Sequence, residues 1–217
     1  MQVNNKIGLS FANLLRTFLR QDPDIILVGE MRDQETVEIG LRAALTGHLV
    51  LSTLHTNDAV DSALRLIDMG APGYLVASAV RAVVAQRLVR KVCLDCKTQD
   101  KLDSARNHWL SARFPKLQLE TFYRGHGCQN CNLTGYRGRI GVFEMLELTS
   151  SMMDALRAND SVAFAQEARL TAGYKPLIES AMELALQGII SLDEVMTLGE
   201  GDNLTPNLAP TINRTQQ

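Results

Sequence analysis

Residues 22–54, DPDIILVGEMRDQETVEIGLRAALTGHLVLSTL, contain the pattern that decides the fold of this chain. An Asp-Pro-Asp breaker precedes an apolar, β-rich run at 25–28, and short runs of this kind are typical of buried parallel strands. Helical composition at 35–46 ends at Gly47, and a second apolar run follows at 48–54. The order strand, helix, strand predicts an α/β fold in which helices cover a parallel sheet.

Helices are predicted on both sides of this unit. Residues 9–21 place apolar side chains at helical spacing, which predicts a helix just before the first strand. Two more helices are predicted at 58–69 and 73–90, separated by a Gly-Ala-Pro turn. The sheet domain is expected to end with the second of these. Further along, 103–123 is predicted to hold a short helical excursion, and 150–198 has the composition of several helices.

The composition is that of a globular protein without a general affinity for anionic partners. The chain has 217 residues, 46% of them hydrophobic, which is enough for one domain and a smaller appendage with a buried core. A net charge of −2 disfavours non-specific binding to nucleic acid or an acidic membrane surface, and 5% aromatic residues provide few platforms for base stacking. No apolar run is long enough to span a membrane, and residues 1–20 are too polar for a signal peptide, so a cytoplasmic location is expected.

Polar side chains follow both predicted strands at the point where each strand ends. The first apolar run ends in Gly29-Glu30, and the second leads into Thr53, His55 and Thr56. A carboxylate at the carboxyl edge of a parallel sheet is where many nucleoside triphosphatases hold Mg²⁺ through water or polarise an attacking water. Acidic residues also follow strands by chance, and a lone loop histidine more often bonds to the backbone. On these residues alone a structural interpretation therefore stays open.

The four cysteines fall in two close pairs, each with the spacing C-x-x-C. Such a turn brings two sulfurs to one ion, and two turns complete the four-thiolate tetrahedron that Zn²⁺ prefers in structural sites. A reducing compartment favours metal binding over disulfides for pairs of this kind. The alternative is four reduced thiols in unrelated positions. The spacing predicts a structural zinc site made by Cys93, Cys96, Cys128 and Cys131.

One long stretch resembles a known family nearly residue by residue. Residues 11–59, FANLLRTFLRQDPDIILVGEMRDQETVEIGLRAALTGHLVLSTLHTNDA, are similar to the Walker B and histidine boxes of the ATPases of the type II secretion and type IV pilus superfamily. The resemblance implies a RecA-like core in which Glu30 is the Walker B acid near Mg²⁺ and His55 faces the bound ATP. It also implies that Arg16 and Arg20, four residues apart on one helix face, neutralise phosphate charge. Solvated surface arginines are the alternative for these two.

The resemblance extends past the sheet. The tetracysteine, followed by TGYRGRIGVFEML at 134–146, is similar to the region that the family carries after its ATPase core, which implies that the zinc is structural. It also implies that Arg137 lies near the nucleotide or a subunit boundary, the alternative being a backbone contact within the zinc knuckle. The cysteines favour pilus-extension and secretion members over retraction motors. The helical stretch after residue 150 looks most like the C-terminal domain of extension ATPases, of the MSHA pilus type.

Two parts of the family's catalytic apparatus are missing from the sequence. No G-x-x-x-x-G-K-[ST] loop occurs, and the chain begins after the acidic box whose glutamate acts on the attacking water in the family. Without the loop there is no backbone cradle and no lysine for the β- and γ-phosphates. The chain is therefore expected to be a fragment that by itself neither hydrolyses ATP nor binds it tightly.

The complete parent is expected to be a hexameric ATPase that couples ATP hydrolysis to type IV pilus assembly or type II protein secretion. Its partner would be an inner-membrane platform protein, its location cytoplasmic and peripheral at the inner membrane, and its cofactors ATP, Mg²⁺ and Zn²⁺. No nucleic-acid partner is expected. The alternative is a non-catalytic, zinc-stabilised interaction module that binds motor subunits or the platform protein. A phosphate-binding loop encoded directly before residue 1 would decide for the motor.

The predicted organisation has four parts. Residues 1–90 would form the C-terminal half of a RecA-like parallel-sheet ATPase core, 91–145 a tetracysteine zinc subdomain, and 146–198 a helical C-terminal subdomain. The tail at 199–217, rich in Asn, Thr and Pro, is expected to be disordered. Because the sheet would be incomplete, we also expect an apolar strand edge to be exposed and to favour association.

Overall fold

The computed structural model describes residues 11–117 and 120–200 of the chain. In chain order, its helices and strands are α1 (Phe11–Leu19), β1 (Ile25–Val28), α2 (Gln34–Leu45), β2 (Leu49–Ser52), α3 (Ala59–Asp68), α4 (Gly73–Ala79), β3 (Ala82–Val92), β4 (Lys97–Asp100), α5 (Ser104–Arg113), β5 (Phe122–Gly125), β6 (Tyr136–Glu147), α6 (Ser150–Arg157), α7 (Ser161–Leu170), α8 (Leu177–Leu186) and α9 (Leu192–Glu200). The start of the first predicted helix and the predicted tail beyond residue 200 lie outside the described residues. Within these ranges, no helix is both long enough and apolar enough to cross a membrane.

β1 and β2 form the parallel pair that the sequence predicts. Ile25 lies opposite Leu49, and Val28 lies opposite Ser52. Side chains alternate between the two faces of a strand, so that Ile26 and Val28 are buried against the helices while their neighbours point the other way. The α/β fold class is therefore confirmed, with the helix α2 connecting the two parallel strands.

The second face of this strand pair is apolar and open to solvent. Its exposed side chains are Ile25, Leu27, Leu49 and Leu51. A groove of about 480 Å³, lined by residues of α1 and β1, includes part of this surface. Parallel strands are usually covered on both faces, which makes such exposure unusual. The sequence predicted an exposed apolar strand edge. In the structure, the exposed apolar surface is one whole face of the β1–β2 pair.

α2 and α3 each begin at an aspartate that caps the first turn of the helix. The carboxylate of Asp33 accepts hydrogen bonds from the backbone N–H of Thr36 at 2.8 Å and from its hydroxyl at 3.0 Å. Asp58 accepts from the backbone N–H of Asp61 at 2.7 Å. These caps pair backbone donors that the first turn leaves free. They fix the two loops that follow the carboxyl ends of β1 and β2.

The described residues fall into two compact units. The first lies within Met1–Ala85 and Met145–Tyr174, and the second within Gln86–Glu144 and Lys175–Gln217. α6 and α7 pack with the first unit, where a Cβ at Gly73 of α4 would overlap the carbonyl oxygen of Leu156 in α6. This close approach needs a glycine. Two breaks between these units, after Ala85 and after Glu144, lie near the predicted boundaries at 90 and 145, and the predicted domains stay a prediction.

The prediction of a helix at 73–90 is wrong after Ala79. α4 ends at Ala79, and Ala82–Val92 forms the strand β3, paired with β6. From Ala82 onward, side chains are alternately exposed and more buried, as in a strand with one covered face. Valines in this run favour an extended backbone, and the partner strand more than forty residues later supplies the hydrogen bonds that decide the outcome.

The second unit combines a small antiparallel hairpin with helices. In β4 and β5, Lys97 lies opposite Gly125 and Asp100 opposite Phe122. α5 supplies the predicted helical excursion, although the predicted range also includes the start of β5. Trp109 of α5 packs at a tilt against Phe114, with ring centroids 6.0 Å apart. A Cβ at Gly199 of α9 would lie 3.2 Å from the Trp109 ring, so this ring also borders the last helix.

Candidate functional site

The carboxyl ends of β1 and β2 bring Glu30 and His55 together. His55 Nε2 lies 2.9 Å from Glu30 Oε1. The Glu30 side chain is only 19% exposed, whereas the His55 side chain is 85% exposed. Glu30 follows β1 and His55 follows β2, and α2 separates the two strands in the sequence. The residues meet because parallel strands end at the same edge of a sheet. The roles of the two residues stay a prediction.

Backbone contacts hold the two strand ends in place beyond the last paired residues. The Thr53 hydroxyl donates to the carbonyl of Gly29 at 2.6 Å. The backbone N–H of Met31 donates to the carbonyl of Thr53 at 3.2 Å. The segments that follow β1 and β2 are therefore hydrogen-bonded to each other on both sides of Glu30. The backbone that carries the carboxylate is therefore fixed, while its side chain is directed toward the loop of His55.

Arg32 is a member of this cluster that the sequence did not indicate. Its Nε donates to Oε2 of Glu30, so that the carboxylate is engaged by a histidine on one oxygen and by a guanidinium on the other. The Arg32 side chain is 77% exposed and can move away. Its only signal in the sequence is its position two residues after Glu30.

Arg16 and Arg20 do not reach the carboxylate of Glu30 in this structure. Arg16 Nη2 instead lies 2.9 Å from Glu35 Oε1 in α2, and its Nη1 donates to Asn13 Oδ1 at 3.1 Å. Arg20 directly follows the end of α1 and is exposed. Both side chains are exposed to solvent, so their guanidinium groups are accessible to an added anion. Their role toward phosphate stays a prediction.

In the second unit, the four cysteines form one compact cluster. All four sulfurs lie within 4.8 Å of one another, and three neighbouring pairs are 3.7 to 3.9 Å apart. A tetrahedral Zn²⁺ site with metal–sulfur bonds of about 2.3 Å needs sulfurs about 3.8 Å apart. The sulfur positions therefore fit such an ion, and the alternative of unrelated free thiols is ruled out by their proximity. The members are Cys93, Cys96, Cys128 and Cys131.

Tight turns and a glycine contact shape this tetracysteine cluster. Asn132 and Leu133 have left-handed φ angles of 51° and 62°, which turn the chain sharply after the second pair. Gly125 and Gly135 approach so closely that a Cβ on either would overlap the backbone of the other. Only glycine permits this contact. The glycines near the cysteines are thus part of what holds the sulfurs together.

Burial and backbone donors shift the pKa values of Cys131 and Cys96 in opposite directions. Burial alone would raise the pKa of Cys131, but the N–H groups of Cys128 and Gly135 donate to its sulfur at 3.2 and 3.3 Å and lower the pKa to about 6. Burial raises the pKa of Cys96 to about 12. Such N–H···S bonds stabilise thiolate, which is the form that binds a metal. Cys131 therefore ionises more readily than Cys96.

Arg137 lies beside the tetracysteine cluster. Its Nη1 is 3.5 Å from Asp95 Oδ2, and the same carboxylate oxygen accepts from Asn130 Nδ2 at 3.1 Å. Asp95 sits between Cys93 and Cys96, and Asn130 between Cys128 and Cys131, so Asp95 links the two knuckles. This contact is a side-chain one, and the predicted role of Arg137 toward a nucleotide or a subunit boundary stays a prediction.

The sequence matches a protein family over nearly its whole length. Residues 1–197 match the family model described as type II/IV secretion system protein. The chain is 45% identical, over 90% of its length, to the type IV pilus assembly ATPase PilB of Thermus thermophilus, and 42% identical over 90% of its length to the type II secretion system ATPase E of Vibrio cholerae. It spans only 22% and 38% of those two proteins.

The fold is similar to part of a solved motor structure. The crystal structure of the pilus retraction motor PilT with bound ADP superposes with a TM-score of 0.61 at 28% identity, covering 92% of this chain and 45% of that one. The similarity therefore includes both compact units, while more than half of the solved chain has no counterpart here.

Proposed function

The chain belongs to the type II/IV secretion system protein family, and from this we propose that it is part of a longer ATPase that powers pilus assembly or protein secretion. Within that longer protein, the chain supplies the carboxylate and histidine that border the metal and the terminal phosphate of ATP. The proposal is carried by one observation, the 2.9 Å contact between Glu30 and His55 at the carboxyl edge of β1 and β2. Ligands of open parallel sheets bind at this edge.

The geometry suits a nucleotide with its metal. Glu30 is mostly buried, is held by paired backbone on both sides, and presents one carboxylate that can accept from waters around Mg²⁺. Bound Mg²⁺ would offset phosphate charge. His55 is exposed beside that carboxylate and can donate to a phosphate oxygen, while Arg32 can release Glu30 when the metal competes for it. Arg16, Arg20 and Arg137 are proposed to neutralise phosphate charge within an assembled hexamer.

The remaining parts of the proposal concern the assembly. The longer protein is proposed to act as a cytoplasmic homo-hexamer at the inner membrane, where ATP turnover moves a platform protein. The phosphate-binding loop is proposed to lie in the part of the longer protein that this chain does not span. The tetracysteine cluster is proposed to hold one structural Zn²⁺, because its four sulfurs have the spacing of a closed thiolate site.

Replacing Glu30 by Gln in the longer protein tests the proposal, because the change removes charge and keeps shape. ATP turnover is expected to fall by about 100-fold or more, while the Kd for Mg-ATP changes only a few-fold. Glu38→Gln, the same change at a carboxylate of α2 that lies near Arg42, is the matched control and is expected to retain turnover. Equal turnover in both variants would contradict the role proposed for Glu30, whereas no turnover by the unaltered longer protein would favour the non-catalytic interaction module.

A further inference from the structure

We propose that helix α9 supports the tetracysteine cluster, and that Glu194 is a positioning residue for the metal. This inference rests on the proposed zinc site. Glu194 contacts none of the sulfurs, but through Arg90 it holds the strand that leads directly into Cys93. Helix α9 and the cysteines lie in the same compact unit.

The contact between Glu194 and Arg90 is short and charged, and its carboxylate is mostly buried. The carboxylate accepts from Arg90 Nε at 2.9 Å, from Nη2 at 2.7 Å, and from the backbone N–H of Arg90 at 2.7 Å. Only 9% of the Glu194 side chain is exposed. Both guanidinium donors meet Oε1 and the backbone N–H meets Oε2, so charge-assisted hydrogen bonds engage both carboxylate oxygens. Glu194 therefore fixes both the side chain and the backbone of a residue three positions before Cys93.

The second cysteine pair is tied to the same segment. Arg90 stacks over the ring of Tyr136, with its guanidinium carbon 4.1 Å from the ring centroid. The Tyr136 hydroxyl lies 2.9 Å from the hydroxyl of Ser191, a buried residue one position before α9. Tyr136 directly follows Gly135, whose backbone N–H donates to the sulfur of Cys131. The segment that begins α9 therefore reaches the chain on both sides of the cluster.

Backbone hydrogen bonds complete the connection. The N–H of Val92 donates to the carbonyl of Ile189 at 2.9 Å, and the next N–H, of Cys93, donates to the carbonyl of Gly135 at 2.9 Å. These backbone hydrogen bonds connect Ile189, in the turn before α9, to Val92 and connect the adjacent Cys93 to Gly135. The N–H of Gly135 in turn donates to the sulfur of Cys131. A shift of α9 would move the backbone that sets the distances between the sulfurs.

Metal binding and α9 packing should therefore strengthen each other. A metal site binds tightly when its ligands are held in place before the ion arrives, and residues that only orient ligands commonly change affinity by about 10- to 100-fold. Coupling between two binding or docking events is reciprocal. The metal should lower the equilibrium population of undocked α9 by the same factor by which docking of α9 raises the affinity for the metal.

The test uses the full chain with Zn²⁺ and Co²⁺ as probes. Zinc affinity is measured by competition with a chromophoric chelator, and the thiolate-to-metal absorption of bound Co²⁺ reports the ligand geometry. Glu194→Gln is expected to weaken zinc binding by about 10-fold or more. Glu183→Gln, at a partly exposed carboxylate of α8 paired with Lys175, is the matched control and is expected to bind as the unaltered chain does.

Tyr136→Phe provides a milder variant in case Glu194→Gln fails to fold, because it removes only the hydroxyl that meets Ser191. It is expected to weaken zinc binding in the same direction. Hydrogen exchange across residues 192–199 in the unaltered chain is expected to slow on addition of zinc. Unchanged zinc affinity in a folded variant, or exchange in α9 that ignores zinc, would overturn the coupling. Absence of metal binding by the unaltered chain would overturn the zinc site itself, so the two failures are distinguishable.

Discussion

His55 Nε2 lies 2.9 Å from Glu30 Oε1, although the two residues follow different strands. The imidazole is almost fully exposed and the carboxylate is not, so the histidine is the member of the pair that an incoming ligand meets first. A histidine in this position can donate to a phosphate while remaining in contact with the carboxylate that borders the metal.

His55→Ala in the longer protein is therefore expected to reduce ATP turnover by about 10- to 100-fold, since it removes one donor from the phosphate end of the site. The matched control is His48→Ala, because His48 contacts the carbonyl of Ala43 rather than Glu30. Steady-state phosphate release measures both. Similar turnover in the two variants would mean that His55 has no part in catalysis.

The chain is expected to contain one zinc ion when it is purified without chelators, since its four sulfurs have tetrathiolate spacing. Cys128→Ser is expected to lose the ion and to raise hydrogen exchange in residues 93–145 far more than in residues 11–59. Elemental analysis and exchange mass spectrometry measure these outcomes. A zinc content near zero in the unaltered chain would exclude the site.

The metal-free chain is expected to show one thiolate transition near pH 6. The transition is measured by the ultraviolet absorbance of the thiolate under reducing conditions. The N–H donors that lower the pKa of Cys131 to about 6 are its cause. Because this pKa is below the unfolded value, the bonds stabilise the fold above that value, and the stabilisation is lost as the pH falls through about 6.

Cys131→Ser is expected to abolish this transition, and Cys96→Ser, at a thiol whose pKa is raised by burial, is expected to retain it. If no cysteine of the folded, metal-free chain titrates below the usual thiol range, the hydrogen bonds to Cys131 do not have the strength that their geometry indicates.

Gly125→Ala is expected to destabilise the second unit by about 1–3 kcal/mol and to weaken metal binding, because the added methyl group overlaps the backbone of Gly135. Gly29→Ala is the control for stability, since a Cβ there meets nothing within 4 Å. Denaturant unfolding of the two variants gives the comparison. Equal free energies of unfolding would show that the knuckle backbones can separate without cost.

The isolated chain is expected neither to hydrolyse ATP nor to bind it tightly. Glu30 is an anion, and a triphosphate is held mainly by backbone amides and a lysine of a phosphate-binding loop, which this sequence lacks. Titration calorimetry with Mg-ATP measures the affinity. Micromolar binding, or sustained phosphate release from rigorously purified chain, would contradict this expectation.

The sequence predicted the strands and helices whose signals are local. β1 and β2 are short apolar runs bounded by breakers, and α2 lies between an aspartate cap and a glycine, so each could be placed within a residue or two. β3 could not, because Ala82–Val92 also contains good helix formers, and its partner β6 is remote in sequence. Tertiary pairing decided this segment against its composition.

The same distinction applies to the sites. Glu30 and His55 follow neighbouring strands and the cysteines come in pairs, so both clusters left a pattern in the sequence. Arg90 and Glu194 are separated by 104 positions, and no spacing rule connects them. Only the folded chain shows that a charge on the last described helix meets the strand before the first cysteine.

Trp109 gives the molecule a built-in optical probe. It is the only tryptophan in the sequence, and its ring packs against Phe114 and borders Gly199 of α9. Intrinsic tryptophan fluorescence will therefore report on the second unit without a contribution from the first. Undocking of α9 would bring water to the indole and shift its emission to longer wavelength, so release of the helix can be followed in real time without attaching a dye.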